Sequence, residues 1–120
     1  MARILFVDDD QLTLETYEKI VSYFGHQAVL ADCGMSALEM ARQKSVDLII
    51  IDRQLPDMDG FELLKRLRAS ETVLKIPMIM VSASHDIFTE RALSSGALAY
   101  YSKPLLTNQL LGIIEEYTTS

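Results

Sequence analysis

Apolar runs and helix-spaced apolar positions alternate along the whole chain. Residues 3–7 predict a first strand. Leu12, Leu14, Tyr17, Ile20, Val21 and Phe24 follow at helical spacing and predict a helix over 12–24, closed by Gly25. Residues 27–31 are a weaker strand candidate. The spacing over 36–43 predicts a helix with Ala37, Leu38 and Ala41 inward. Residues 46–51 give the strongest strand. Its aliphatic side chains do not alternate with polar ones, so both faces are expected to be covered.

The second half repeats the pattern. Asp59-Gly60 opens a helix through Phe61, Leu64 and Leu67. Residues 77–81 predict a fourth strand, with proline at its start, where the missing N–H costs least. A short helix over 89–95 ends at Gly96, and residues 98–101 predict a fifth strand. Thr107 or Asn108 can cap a last helix through Leu110, Leu111, Ile114 and Tyr117. Strand then helix, repeated along the chain, predicts an α/β fold: a five-stranded parallel sheet with helices on both faces and right-handed crossovers.

Composition adds limits. The chain has 120 residues, enough for one domain over residues 1–120. Nearly half are apolar, with only 5 Gly and 3 Pro, which argues against disorder. The net charge of −6, with the cations scattered among acids, argues against a nucleic-acid surface. No apolar run approaches the roughly twenty residues that span a bilayer, and no signal-peptide pattern opens the chain. Cys33 is the single cysteine, so no internal disulfide can form. These features point to a soluble cytoplasmic domain with no membrane partner.

The candidate chemistry lies where strands end. Asp8, Asp9 and Asp10 follow the first strand, Asp52 the third, Ser82 the fourth and Lys103 the fifth. Parallel sheets bind ligands at that edge. Converging carboxylates repel and raise one another's pKa unless a cation intervenes. Oxygen donors in this number suit Mg²⁺, or Mn²⁺, better than zinc. His26 and His85 lack a ligand spacing, and Cys33 has no thiol partner. A carboxylate beside a metal ion and a lysine can attack phosphorus. Blander roles stand beside these. Asp8 and Asp9 can cap a helix, Ser82 can bond to backbone, and Lys103 can be a solvated cation.

Five motifs occur in order. They are Ile4-Leu5-Phe6-Val7-Asp8-Asp9-Asp10, Asp47-Leu48-Ile49-Ile50-Ile51-Asp52, Leu55-Pro56-Asp57-Met58-Asp59-Gly60, Ile76-Pro77-Met78-Ile79-Met80-Val81-Ser82-Ala83 and Gly96-Ala97-Leu98-Ala99-Tyr100-Tyr101-Ser102-Lys103-Pro104. In them the chain resembles the receiver domain of response regulators, the phosphoacceptor module of two-component signalling, in its single-domain, chemotaxis-regulator-like form. The resemblance implies a (βα)5 flavodoxin-like three-layer sandwich. It implies Asp52 as phosphoacceptor, and Asp8 and Asp9 as the acidic pair that holds Mg²⁺. Asp9 is then the direct ligand, Asp10 is peripheral, and the backbone carbonyl of Gln54 supplies a further ligand. Ser82 and Lys103 contact the phosphoryl group. Tyr100 turns inward with Ser82 as the switch, although a static core role stays open for it. Pro56 and Gly60 shape the loop after the acceptor, and Lys103–Pro104 is expected to be cis.

The implied partner is a sensor histidine kinase or phosphotransfer protein. The implied output is a change in the face built from the fourth helix, fifth strand and last helix, with a phosphorylation-dependent dimer as one outcome. Such a domain is a phosphoacceptor rather than a turnover enzyme. The chain departs from the common pattern at Leu98 and Ala99, which make that face more apolar, for a partner or simply to fill a local pocket. Gln54 and Ser84 stand at the positions that tune hydrolysis. Two rival readings are a degenerate receiver-like binding module and a small phosphatase with an aspartyl nucleophile, for which the chain lacks a cap. The ending at Thr118-Thr119-Ser120 leans toward a stand-alone regulator over a fragment of a longer one.

Overall fold

A computed structural model describes residues 1–83 and 89–118. Its elements are β1 (Arg3–Val7), α1 (Gln11–Tyr23), β2 (Gln27–Ala31), α2 (Gly34–Gln43), β3 (Leu48–Asp52), α3 (Gly60–Arg68), β4 (Met78–Ser82), α4 (Thr89–Ser94), β5 (Ala99–Ser102) and α5 (Thr107–Thr118). The strands form one parallel sheet in the order β2-β1-β3-β4-β5. The order reverses between β1 and β3, which opens a crevice beyond their carboxyl ends.

Side chains alternate across the sheet and feed two cores. On one face Leu5, Val7, Ile49, Ile51, Met78 and Met80 pack against α2, α3 and α4 through Ala37, Ala41, Phe61, Leu64, Leu67 and Ala92. On the other, Ile4, Phe6, Leu48, Ile50, Ile79 and Val81 meet α1 and α5 through Leu14, Tyr17, Val21, Leu110, Ile113 and Ile114. The Phe6 and Tyr17 rings stack at 4.5 Å. β3 is buried along its length, as its unbroken aliphatic run predicts.

Some expected boundaries and faces move. β3 runs from Leu48 to Asp52 rather than over 46–51. Asp47 instead bonds sideways to Arg3, its N–H donating to the Arg3 carbonyl at 2.7 Å and its carboxylate accepting the Arg3 N–H at 2.8 Å. α1 starts at Gln11, and Leu12 is 71% exposed rather than inward. Leu12 and Leu14 lie two positions apart, so they sit on nearly opposite sides of a helix. Phe24 is the half-exposed C-cap. α2 starts at Gly34, capped by Cys33, rather than at Ser36. β5 starts at Ala99. Leu98 precedes it, 53% exposed, with its N–H donating to the Met78 carbonyl at 2.8 Å.

Candidate functional site

Asp8 continues the β1–β2 ladder, its N–H donating to the Ala31 carbonyl at 3.1 Å. Its side chain is buried. One carboxylate oxygen accepts the Asp10 N–H at 2.9 Å, and the other accepts Lys103 Nζ at 2.6 Å. Asp9 is exposed at the rim. Asp10 caps α1 by accepting the Thr13 N–H at 3.0 Å, and its bonds from Thr13 hold its carboxyl below the usual range. Capping is therefore the work of Asp10, and the two preceding acids are not needed for it.

Asp52 is the last residue of β3, paired with Val81, and is 6% exposed. Lys103 Nζ lies 3.2 Å from its Oδ2, and the Gln54 N–H donates to its carboxylate. Burial raises the Asp52 pKa, and the Asp8 charge adds to the rise; Lys103 and the Gln54 N–H offset it only in part. Lys103 shows the converse balance. Burial alone would lower its pKa, but its bonds to Asp8 and Asp52 and their charges outweigh burial and raise it. Its backbone N–H donates to the Ser82 carbonyl at 2.8 Å, and Lys103–Pro104 is cis, as the resemblance implies.

Ser82 ends β4, buried, and its Oγ accepts Arg53 Nε at 3.2 Å. Tyr100 and Tyr101 point to opposite faces of β5. The Tyr100 hydroxyl is buried with no hydrogen-bond partner among the described residues.

The loop after Asp52 is fastened on three sides. Gln54 bridges to Asp59, which caps α3 by accepting the Phe61 N–H at 2.8 Å. Gly60 donates its N–H to the Arg53 carbonyl at 2.7 Å; a Cβ there would lie 2.7 Å from the Asp52 carbonyl oxygen, so the close approach requires glycine. Asp57 reaches back to cap α2, accepting the N–H groups of Gly34 at 2.7 Å and Met35 at 2.9 Å. Those two bonds hold its carboxyl below the usual range. Leu55 and Met58 pack half-buried against the core, while Pro56 is exposed.

The structure therefore brings Asp8, Asp9, Asp52, Ser82 and Lys103 to one edge. Two positions that sequence reasoning missed also belong there. Arg53 reads in sequence as an ordinary surface cation, and the partners of Asp57 lie 23 and 22 residues away. Ser84 and His85 lie outside the described residues.

Among the described residues, oxygens of Asp8, Asp9 and Asp52 lie within 4.8 Å of one another. The donor set is all carboxylate, three acids against the single lysine that bridges two of them. Hard oxygen donors with surplus negative charge fit a small divalent cation such as Mg²⁺.

The family model for the response regulator receiver domain matches residues 4–115. The chain belongs to this family. The polar-differentiation response regulator DivK of Brucella ovis is 31% identical over 115 residues, spanning 95% of this chain and 94% of its own length. The chemotaxis response regulator CheY4 of Vibrio cholerae superposes with a TM-score of 0.91 at 26% identity, covering 98% of each chain. The receiver domain of sensor histidine kinase PA1611 of Pseudomonas aeruginosa PAO1 superposes with a TM-score of 0.90 at 27% identity, over 99% of this chain and 98% of its own. That relative holds a magnesium ion coordinated in its active-site cleft. The family places this receiver domain in two-component signalling. No helix among its described residues is long and apolar enough to cross a membrane.

Proposed function

We propose that this receiver domain is a phosphorylation-activated switch with Asp52 as its phosphoacceptor. The observation that carries the reading is the Asp52 carboxylate, held 3.2 Å from Lys103 Nζ inside a cluster with Asp8 and Asp9. The donor is the phosphohistidine of a sensor histidine kinase or phosphotransfer protein. A carboxylate oxygen of Asp52 forms a bond to phosphorus, and the bond from phosphorus to the histidine nitrogen breaks. The donor ring is protonated on its other nitrogen, so it leaves as neutral imidazole and the second product is the Asp52 acyl phosphate. Asp52 needs no general base, because the attacking group is the ionised carboxylate, which has no proton to give up.

Asp8, Asp9, Asp52 and the backbone carbonyl of Gln54 would hold Mg²⁺. When bound, the ion neutralises negative charge on the phosphoryl oxygens. Lys103 already bridges Asp8 and Asp52, so it can follow the new charge with little rearrangement. Ser82 donates its hydroxyl hydrogen to a phosphoryl oxygen. The orphaned Tyr100 hydroxyl supports a switching role over static core, because a buried hydroxyl without a partner costs about 1–3 kcal/mol and favours any state that pairs it. Phosphorylation shifts this equilibrium rather than creating a new state.

The output surface is the face of α4, β5 and α5, where Leu93 and Leu98 are exposed. It would engage a partner or a second copy of this chain.

The test is intact mass after treatment with a small phosphodonor, with and without Mg²⁺, on the wild type and Asp52→Asn. A single base-labile phosphoryl adduct that needs both Mg²⁺ and Asp52 is expected. An adduct retained by Asp52→Asn would remove the assignment. No adduct and no Mg²⁺ binding would favour a degenerate binding module.

A further inference from the structure

We propose that Arg53 is a positioning residue for the Ser82 hydroxyl in phosphoryl transfer. The proposal rests on Asp52 as the acceptor. Arg53 directly follows Asp52 and its backbone is fixed on both sides. Its N–H donates to the Val81 carbonyl at 3.0 Å, and its carbonyl accepts the Gly60 N–H at 2.7 Å. A Cβ on Gly60 would come within 2.8 Å of the Arg53 Cα, so the helix start presses directly on this residue. The side chain therefore leaves from a defined point, and its Nε reaches Ser82 Oγ at 3.2 Å. Ser82 is fixed as well: it is 2% exposed, and its carbonyl is tied to the Lys103 N–H at 2.8 Å.

The chemistry gives the contact a direction. A serine hydroxyl has one hydrogen to donate and two lone pairs. The guanidinium N–H takes a lone pair and does not use the hydroxyl's own hydrogen. It turns that hydrogen away from Arg53. A hydroxyl that accepts from a cation is also polarised into a better donor. Ser82 directly follows Val81, the ladder partner of Asp52, so it lies at the same sheet edge as the acceptor. A phosphoryl group on Asp52 then meets Lys103 Nζ on one side and a hydroxyl oriented by Arg53 on the other. Arg53 acts through Ser82.

The side-chain atom matters. A glutamine amide nitrogen occupies the same place along the side chain as arginine Nε, so Arg53→Gln keeps a donor there without the charge. Arg53→Lys keeps the charge and loses that donor. The test is the rate of adduct formation from a small phosphodonor with Mg²⁺. It is measured on wild type, Arg53→Ala, Arg53→Gln, Arg53→Lys, Ser82→Ala and the Arg53→Ala/Ser82→Ala double variant, with Asp52→Asn as control. Arg53→Ala is expected to slow the reaction about tenfold, with no further loss in the Ser82→Ala background. Arg53→Gln is expected to recover most of the rate and Arg53→Lys little of it. A second readout needs no phosphodonor: the Arg53 Nε–H resonance is expected to be protected from exchange in wild type and to lose that protection in Ser82→Ala.

Wild-type rates in Arg53→Ala would overturn the proposal. So would equal slowing with and without Ser82, rescue by lysine but not glutamine, or an Nε–H resonance indifferent to Ser82. An adduct that survives in Asp52→Asn would overturn the acceptor reading, and this proposal with it.

Discussion

Two half-buried cations sit at opposite ends of the sheet with opposite kinds of partner. At the carboxyl edge, Lys103 is held by two carboxylates, 2.6 Å from Asp8 and 3.2 Å from Asp52. Below the amino ends of β4 and β5, Arg68 is held by backbone carbonyls. It donates to Gly96 at 2.9 and 2.7 Å, to Ile76 at 2.9 Å and to Leu74. Burial lowers the Arg68 pKa, whereas bonds to anions raise that of Lys103. Carbonyls are fixed by the fold and bring no competing charge, so Arg68 is a clamp with one arrangement. Carboxylates can gain a phosphoryl group or a metal ion, so Lys103 holds a place in a network that can be rearranged.

The glycines at the two ends follow the same division. Gly60 allows α3 to start against the acceptor backbone. Gly96 has φ +118°, and a Cβ there would lie 2.6 Å from Arg68 Cγ, so the clamp requires glycine twice over.

The sharpest way to break the comparison is to truncate both cations. Lys103→Ala is expected to lower the rate of adduct formation about a hundredfold, and to uncouple any adduct from the Tyr100 face. Intact mass gives the first effect, and the Tyr100 resonances on addition of a phosphoryl mimic give the second. An unchanged response at Tyr100 would sink the role given to Lys103. Arg68→Ala is expected to form adduct normally where folded but to lose about 2 kcal/mol of stability, because the half-buried carbonyls of Gly96 and Ile76 lose their charged donor. Urea unfolding measures it. Arg68→Lys recovers little, since one ammonium cannot replace the guanidinium fork.

A smaller effect sharpens the electrostatic side. The folded pKa of Asp52 lies above its ordinary 3.8, so the folded state holds that proton more tightly than the unfolded chain. Without metal, Asp52 therefore lowers stability as pH rises above 3.8, and the loss is complete once the folded carboxyl has ionised. Asp52→Asn is expected to be more stable than wild type at neutral pH in chelator, by about 1 kcal/mol. Thermal melting in chelator and in Mg²⁺ checks it: the advantage should shrink in Mg²⁺, and equal shifts in both would count against the acidic cluster as the metal site.

The smallest effect concerns Asp57, whose folded pKa lies below 3.8. Its contribution is present above 3.8 and is lost as pH falls through the lowered value. Asp57→Ala should flatten that part of the acid unfolding curve. Solvent screens this exposed cap, so the cost at neutral pH is no more than about 1 kcal/mol.

Much of this was legible along the chain. The unbroken run Leu48-Ile49-Ile50-Ile51 required cover on both faces, and the two cores supply it. Asp8, Asp52, Ser82 and Lys103 each end or follow a strand, and parallel strands bring their carboxyl ends to one edge whatever the lateral order. The misreadings have local causes. Leu12 sits two positions from Leu14, which helical spacing does not place on one face, and it is exposed. Val46 is buried without belonging to a strand, because Asp47 spends its backbone on Arg3.

What the sequence by itself determined is the alternation of elements and the set of groups at the active edge, because period and strand direction are local properties. Only the tertiary structure decided partners. Arg53 meets Ser82, Asp57 caps α2, Arg68 clamps Gly96, and the Tyr100 hydroxyl finds no bond among the described residues. The three pairings join residues more than twenty positions apart, and the orphaned hydroxyl depends on packing just as non-local. Periodicity reports which side of an element faces the core; it carries no information about which distant residue waits there.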